Sequence, residues 1–142
     1  MKALIITVII VVVACAAVYY FGGYSSYDPT QAGLDAKAAI SAGMTLEEVI
    51  DAIGQPTKYA ELIKESRKQG GLVSEFIKPT ALMGFTLKNV RYRIDNNEVP
   101  EGFFLLYHYS AQASFEVYFD AEGVVTNVQD HATMADLLQT RE

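Results

Sequence analysis

Few side chains in this chain could do chemistry, and their spacing leaves them without partners. The two histidines are His108, inside an apolar run, and His131, in a polar stretch near the end. Neither has a second histidine four residues away or an acid at ligand spacing, so the converging donors of a metal site are missing from the pattern. The single cysteine, Cys15, lies in an uncharged apolar run, where a thiol behaves as a small apolar group and is not placed to pair with either histidine. One cysteine also excludes an intrachain disulfide. No Gly-x-Ser-x-Gly elbow, phosphate loop or dinucleotide glycine pattern occurs. The neighbouring acids Glu47 and Glu48 have a simpler task at a helix start. No catalytic, cofactor-binding or metal-binding residue is assigned, and the chain reads as non-enzymatic.

The best-defined element is the helix that those acids open. Thr45 followed by Glu48 is a capping box: the Thr45 hydroxyl accepts from the Glu48 N–H, and the Glu48 carboxylate reaches back to the Thr45 N–H. Met44 before the cap and Val49 inside it form a hydrophobic staple. Leu46, Val49, Ile50 and Ile53 make one apolar stripe, while Glu47, Glu48 and Asp51 face water. Gly54 supplies a left-handed stop and Pro56 forbids continuation. Before this helix, Asp28 as cap, Pro29 at the first position and Gln31 closing a box predict another, ending near Gly43. Its alanines give it a thin profile for close packing.

The motif Gly43-Met44-Thr45, then Glu48 and Val49, then Gly54-Gln55-Pro56 resembles the signature of the SmpA/OmlA (BamE-like) envelope proteins. The likeness is strongest over residues 40–56 and returns over residues 115–128, a strand, glycine turn and strand. It implies a small non-enzymatic module with two helices on an antiparallel sheet, acting in outer-membrane protein assembly. In that group a strand comes soon after Gly-x-Pro.

Composition sets the setting. The 142 residues amount to one domain, and 51% hydrophobic content is raised by the amino terminus. A net charge of −6 argues against a nucleic-acid binder. Residues 3–21 carry no charge; at 1.5 Å per residue they would reach about 28 Å, near the roughly 30 Å hydrocarbon core of a bilayer. Tyrosines cluster at the far end, as at membrane interfaces, and Lys2 alone flanks the run with positive charge, which keeps the amino terminus inside and exports the domain. Val12-Val13-Ala14-Cys15 also looks like a lipobox, with Cys15 the candidate lipidation site, although the apolar run continues beyond it. Three readings follow: a retained single-pass anchor, which is preferred, a lipid anchor at Cys15, and a conventionally cleaved, soluble product. Residues 1–27 are thus read as anchor and short Gly/Ser/Tyr linker, and residues 28–142 as an extracytoplasmic (periplasmic) domain.

The remainder predicts an α+β fold: an N-terminal membrane helix, then two or three short helices on one face of a three- to five-stranded antiparallel sheet. Residues 57–69 read as a third helix ended by Gly70-Gly71, and residues 72–77 as a short strand before Pro79. Residues 85–94 read as an alternating strand with a slip at Asn89, and residues 103–109 as a central strand covered on both faces. Residues 115–119 and 124–128 read as a hairpin around Asp120-Ala121-Glu122-Gly123, and residues 133–138 as a closing helix. Charge is segregated: residues 58–93 carry eight basic against three acidic side chains, residues 95–142 one against nine. The expected function is a membrane-tethered binding or assembly accessory that contacts another envelope protein, with no nucleic acid and no small-molecule substrate. The alternative is an inhibitor-like or sensor domain that binds a soluble enzyme or ligand outside the cytoplasm.

Overall fold

The computed structural model describes residues 2–17 and 27–131. The elements are α1 (Lys2–Ala17), α2 (Pro29–Ala38), α3 (Leu46–Ile53), β1 (Lys58–Gln69), β2 (Leu72–Pro79), α4 (Leu87–Asp95), β3 (Phe103–Ser110), β4 (Ala113–Phe119) and β5 (Val125–Asp130). The strands form one antiparallel sheet in the order β2-β1-β3-β4-β5. The α+β class and the antiparallel sheet of the sequence reading are both present.

Alternation along β3 and β4 builds the core. Phe103, Leu105 and Tyr107 share a face with Phe115, Val117 and Phe119, and against it pack Ala36 from α2, Leu46 and Val49 from α3, and Val90 and Ile94 from α4. Directly opposed aromatics stack, Phe103 on Phe119 at 4.8 Å and Tyr107 on Phe115 at 5.4 Å between centroids. Phe104, Leu106 and Ala60 form a smaller buried cluster on the other face. β3 is therefore apolar on both sides, as its sequence predicts.

Two segments differ from expectation, and they exchange roles. Residues 57–69 are the strand β1 and not a helix. β1 obtains its hydrogen bonds from β3 and β2, and cross-strand pairing overrides the helix-forming Glu, Lys and Leu content. The expected strand over residues 85–94 is instead α4, because Val90 and Ile94, one turn apart, are the residues it buries. A strand then follows Gly54-Gln55-Pro56 directly, without an inserted helix. The closing helix expected over residues 133–138 lies outside the described residues.

The amino-terminal run is helical from Lys2 to Ala17, which at 1.5 Å per residue is about 24 Å long. Among the described residues no helix is long and apolar enough to cross a membrane, so the structure does not support the spanning helix expected over residues 3–21. Residues 18–21 lie outside the described part.

At α2 the Asp28 carboxylate accepts from the N–H groups of Thr30 and Gln31, at 3.0 and 3.3 Å. Gln31 does not close a box; its amide donates to Asp35 at 2.9 Å. The helix ends at Ala38, short of Gly43. Gly33, more than the alanines, sets how closely α2 lies on the sheet: a Cβ there would stand 2.6 Å from the Ala113 Cβ and 2.9 Å from that of Tyr109. Gly33→Ala should therefore lower stability by about 1–2 kcal/mol in chemical denaturation, since overpacking costs about 1–3 kcal/mol and helix propensity returns up to about 1. An unchanged or raised midpoint would contradict this contact.

Candidate functional site

The residues of the helix motif bracket α3, with Gly43 to Val49 at its start and Gly54 to Pro56 beyond its end. Thr45 Oγ1 accepts from the Glu48 N–H at 3.2 Å and Glu48 Oε2 accepts from the Thr45 N–H at 3.3 Å, the reciprocal box that the sequence predicts. Leu46 and Val49 are wholly buried, and Met44 packs on the same core. The segment before α3 also serves as a short strand. Gly43 N–H donates to Val125 O at 2.9 Å, Val125 N–H to Met44 O at 2.8 Å, and Leu46 N–H to Gly123 O at 2.9 Å. Gly54 has positive φ, 81°, but ψ is −165°, an extended glycine-only conformation in place of the expected left-handed helical stop. Its carbonyl accepts from the Tyr107 hydroxyl at 2.8 Å. Pro56 follows, half-buried, one residue before the turn into β1. The contacts of this motif position α3 on the sheet.

Arg91 on α4 extends the corner through a forked ion pair with Glu47 on α3. Desolvation pushes the Glu47 carboxyl up. The Arg91 hydrogen bonds, a backbone N–H and the guanidinium charge outweigh it and hold the pKa below the ordinary value.

The histidines lie on the opposite sheet face. Ser114 directly faces His108, whose Nδ1 is 2.5 Å from the Ser114 hydroxyl. That hydroxyl also lies 2.9 Å from the Ser110 carbonyl, so its one proton serves either the carbonyl or the imidazole, according to the His108 tautomer. His131 Nδ1 stands 2.7 Å from Glu116 Oε1, and the Tyr118 hydroxyl donates to Glu116 Oε2 at 2.5 Å. Both carboxylate oxygens are occupied. Among the described residues no group of three or more potential ligands gathers for a metal ion. Cys15 is exposed on α1.

Beside α4, Tyr59, Met83, Tyr92 and Arg93 line a surface hollow of about 370 Å³. The Tyr59 hydroxyl is buried and has no hydrogen-bond partner among the described residues. Burial, then the nearby Glu61 carboxylate, pushes its pKa well up, so the phenol stays protonated. Glu61 itself is taken by Arg93 at 2.5 Å.

A further exposed surface is one that the sequence reading divided between a helix and a strand. β1 pairs with β3 only over Lys58–Glu61; from Leu62 to Gln69 it pairs with β2 alone, eight facing pairs without a break. At about 3.3 Å per residue this two-stranded ribbon extends roughly 26 Å. Its turn is Gly70-Gly71, with φ 60° and 83°, the pair of positive values that a two-residue type I′ hairpin turn requires. Lys64–Glu75 at 3.0 Å and Glu65–Lys78 at 2.6 Å brace it, and Arg67 lies over the Phe76 ring. Every residue of β2 is exposed, including Leu72 at 78%, Val73 at 58% and Ile77 at 56%. An isolated ribbon is marginal in water, and exposed apolar residues along an open strand make it a candidate contact surface. The signal in the sequence was Gly-Gly between two β-capable runs.

No family model matches this chain, and neither does any curated protein or solved structure.

Two outcomes are expected. Tyr59→Phe removes a buried hydroxyl that has no partner, so stability should stay level or rise by up to about 1 kcal/mol; a loss of that size would show the hydroxyl bonded. Because the Glu47 pKa is lowered on folding, the pair stabilises above the unfolded carboxylate pKa of about 4.3, and that stabilisation is lost as pH falls through the folded value. Arg91→Met should flatten the acid limb of a stability–pH curve; an unaltered limb would count against the pair.

Proposed function

We propose that this chain is a membrane-tethered, non-enzymatic binding or assembly accessory of the bacterial cell envelope, with the β1–β2 ribbon as its contact element. One observation carries the reading: eight residues of β2 stand outside the core, with Leu72, Val73, Phe76 and Ile77 offered to solvent. Burying one such side chain against a partner is worth about 1.5–3 kcal/mol, whereas leaving it in water gains nothing for the fold.

The tether is the amino-terminal helix. Leu4 to Val13 are apolar apart from Thr7, and their large side chains are exposed on every side, as suits surroundings of lipid. Thr7 returns its hydroxyl to the Ala3 carbonyl at 2.9 Å and so presents little polarity. Anchoring is by a single span with the domain in the periplasm, or by a lipid on Cys15. Either holds the ribbon close to a membrane partner and raises its effective concentration there. The resemblance to the SmpA/OmlA (BamE-like) proteins supports this class of role. A strand following Gly54-Gln55-Pro56 and helices on one face of an antiparallel sheet are in keeping with it.

Mass spectrometry of the membrane-extracted protein separates the anchors: an intact Met1 means a span, a start at lipidated Cys15 a lipoprotein. Purification from detergent-solubilised envelopes tests the contact element. Phe76→Ser with Ile77→Ser should reduce recovery of the envelope partner at least tenfold while the folded core keeps its denaturation midpoint. Undiminished recovery, or recovery of the native protein entirely in the soluble cytosolic fraction, would defeat the reading.

A further inference from the structure

Resting on the reading of the ribbon as contact element, we propose how it binds: an extended segment of a partner protein adds to the free edge of β2 as an antiparallel strand. That segment carries an acidic residue facing Lys78, two apolar residues, and a basic residue facing Glu75.

The sheet's two edges are treated differently. At one end β5 is short, bears Thr126, Asn127, Gln129 and Asp130, and meets β4 through a register irregularity near Phe119. Its first residue is already paired with the segment before α3. These are the devices that keep an edge from recruiting another strand. At the other end, β2 has eight residues in unbroken register with β1, and among the described residues no strand lies beyond it. Proline appears only at its last position. Every second N–H and C=O of β2 therefore points away from β1 with nothing to bond, and strand addition satisfies those groups.

Side chains give the added strand its character. Val73, Glu75 and Ile77 lie on one face of the ribbon, and Leu72, Ser74, Phe76 and Lys78 on the other. A facing strand needs apolar residues against Phe76 and Ile77 on opposite faces, an acid against Lys78, and a base against Glu75. Read along an antiparallel partner, this is acid, apolar, apolar, base.

A second copy of this chain does not meet that pattern. Two identical antiparallel strands are related by a two-fold axis normal to the sheet, so facing residue numbers sum to an even number. Glu75 and Lys78 sum to an odd number and cannot face each other in a symmetric pair. Centring the axis on Glu75 sets two carboxylates together; centring it on Phe76 sets Glu75 against Ile77. A foreign strand has no such restriction.

The test uses the full-length protein in detergent and a fluorescent peptide, Thr-Thr-Asp-Val-Val-Lys-Thr-Val-Thr, with binding followed by anisotropy. Saturable binding is expected, about tenfold weaker when Asp and Lys are exchanged in the peptide, since two favourable facing pairs become two like-charge pairs. N-methylation of alternate peptide amides on the bonding side should abolish it. Because all changes are in the peptide, no result depends on whether a variant protein folds. Absence of saturable binding would overturn the proposal, as would equal binding of the exchanged or N-methylated peptide. So would a dimer in sedimentation that the peptide dissociates, which would make a second copy the occupant. If the peptide fails while the Phe76/Ile77 variant still loses its envelope partner, strand addition falls and the ribbon's role stands; if that variant keeps the partner, the functional reading itself falls.

Discussion

The arrangement of this domain depends on three backbone hydrogen bonds where the chain turns from α2 into α3. Gly43, Met44 and Leu46 bond to Gly123 and Val125, so the segment before α3 is in effect a short strand laid on the β4–β5 hairpin. This fixes the start of α3 at a set height on the sheet, and burial of Leu46 and Val49 follows. Arg91 then ties α4 to Glu47 on the same helix, and Arg93 ties α4 to Glu61 on β1. The helix layer is thus referenced to the sheet at both ends, through groups that water would otherwise satisfy.

β1 belongs to two structures at once. Over Lys58–Glu61 it is an interior strand, with Tyr59 and Ala60 buried; beyond Leu62 it loses β3 and has only β2 for a neighbour. The change comes where β3 begins at Phe103: Gly102 still accepts from the Leu62 N–H at 3.0 Å, and the chain before it turns away, Gly102 N–H donating to the Val99 carbonyl. What projects is held by its own resources: a glycine turn, two cross-strand ion pairs and a cation over a ring. Each exposed pair is worth well under about 1 kcal/mol, so the ribbon is shaped but weakly stabilised. The basic charge that the sequence concentrates over residues 58–93 is divided between this ribbon and α4, where Arg91 and Arg93 are spent on internal pairs.

The parts legible in the sequence were those whose information is local. The capping box needs only Thr45 and Glu48, the β4–β5 turn only Asp120 to Gly123, and the doubly covered β3 only its uninterrupted apolar run. The parts that were not legible depend on neighbours distant in the chain. Residues 57–69 contain good helix formers, with Tyr59, Leu62 and Ile63 at near-helical spacing, and only pairing with β3 and β2 makes them a strand. Residues 85–94 alternate well enough to resemble a strand, but the slip at Asn89 was the telling feature: it spaces Leu87 three residues from Val90, and with Ile94 these make the i, i+3, i+7 side of a helix. Because residues 57–69 read as a helix, only half of the ribbon, the candidate contact surface, emerged from the sequence: the strand over residues 72–77, without its partner β1. Its one local clue, Gly70-Gly71, fits a helix end as well as a hairpin turn.

The separation of β2 from the core bears on how such a protein changes over generations. Among the described residues no buried core side chain packs on Leu72 to Lys78, and the side-chain ties of this segment are those within the ribbon, from Glu75, Phe76 and Lys78 to β1. Most mutations in a small protein are purged through lost stability, but Leu72, Val73 and Ile77 lie outside the core and are largely spared that filter. On the proposed reading of the ribbon as contact element, such positions can be rewritten to redirect one scaffold from one partner to another while its core stays as it was.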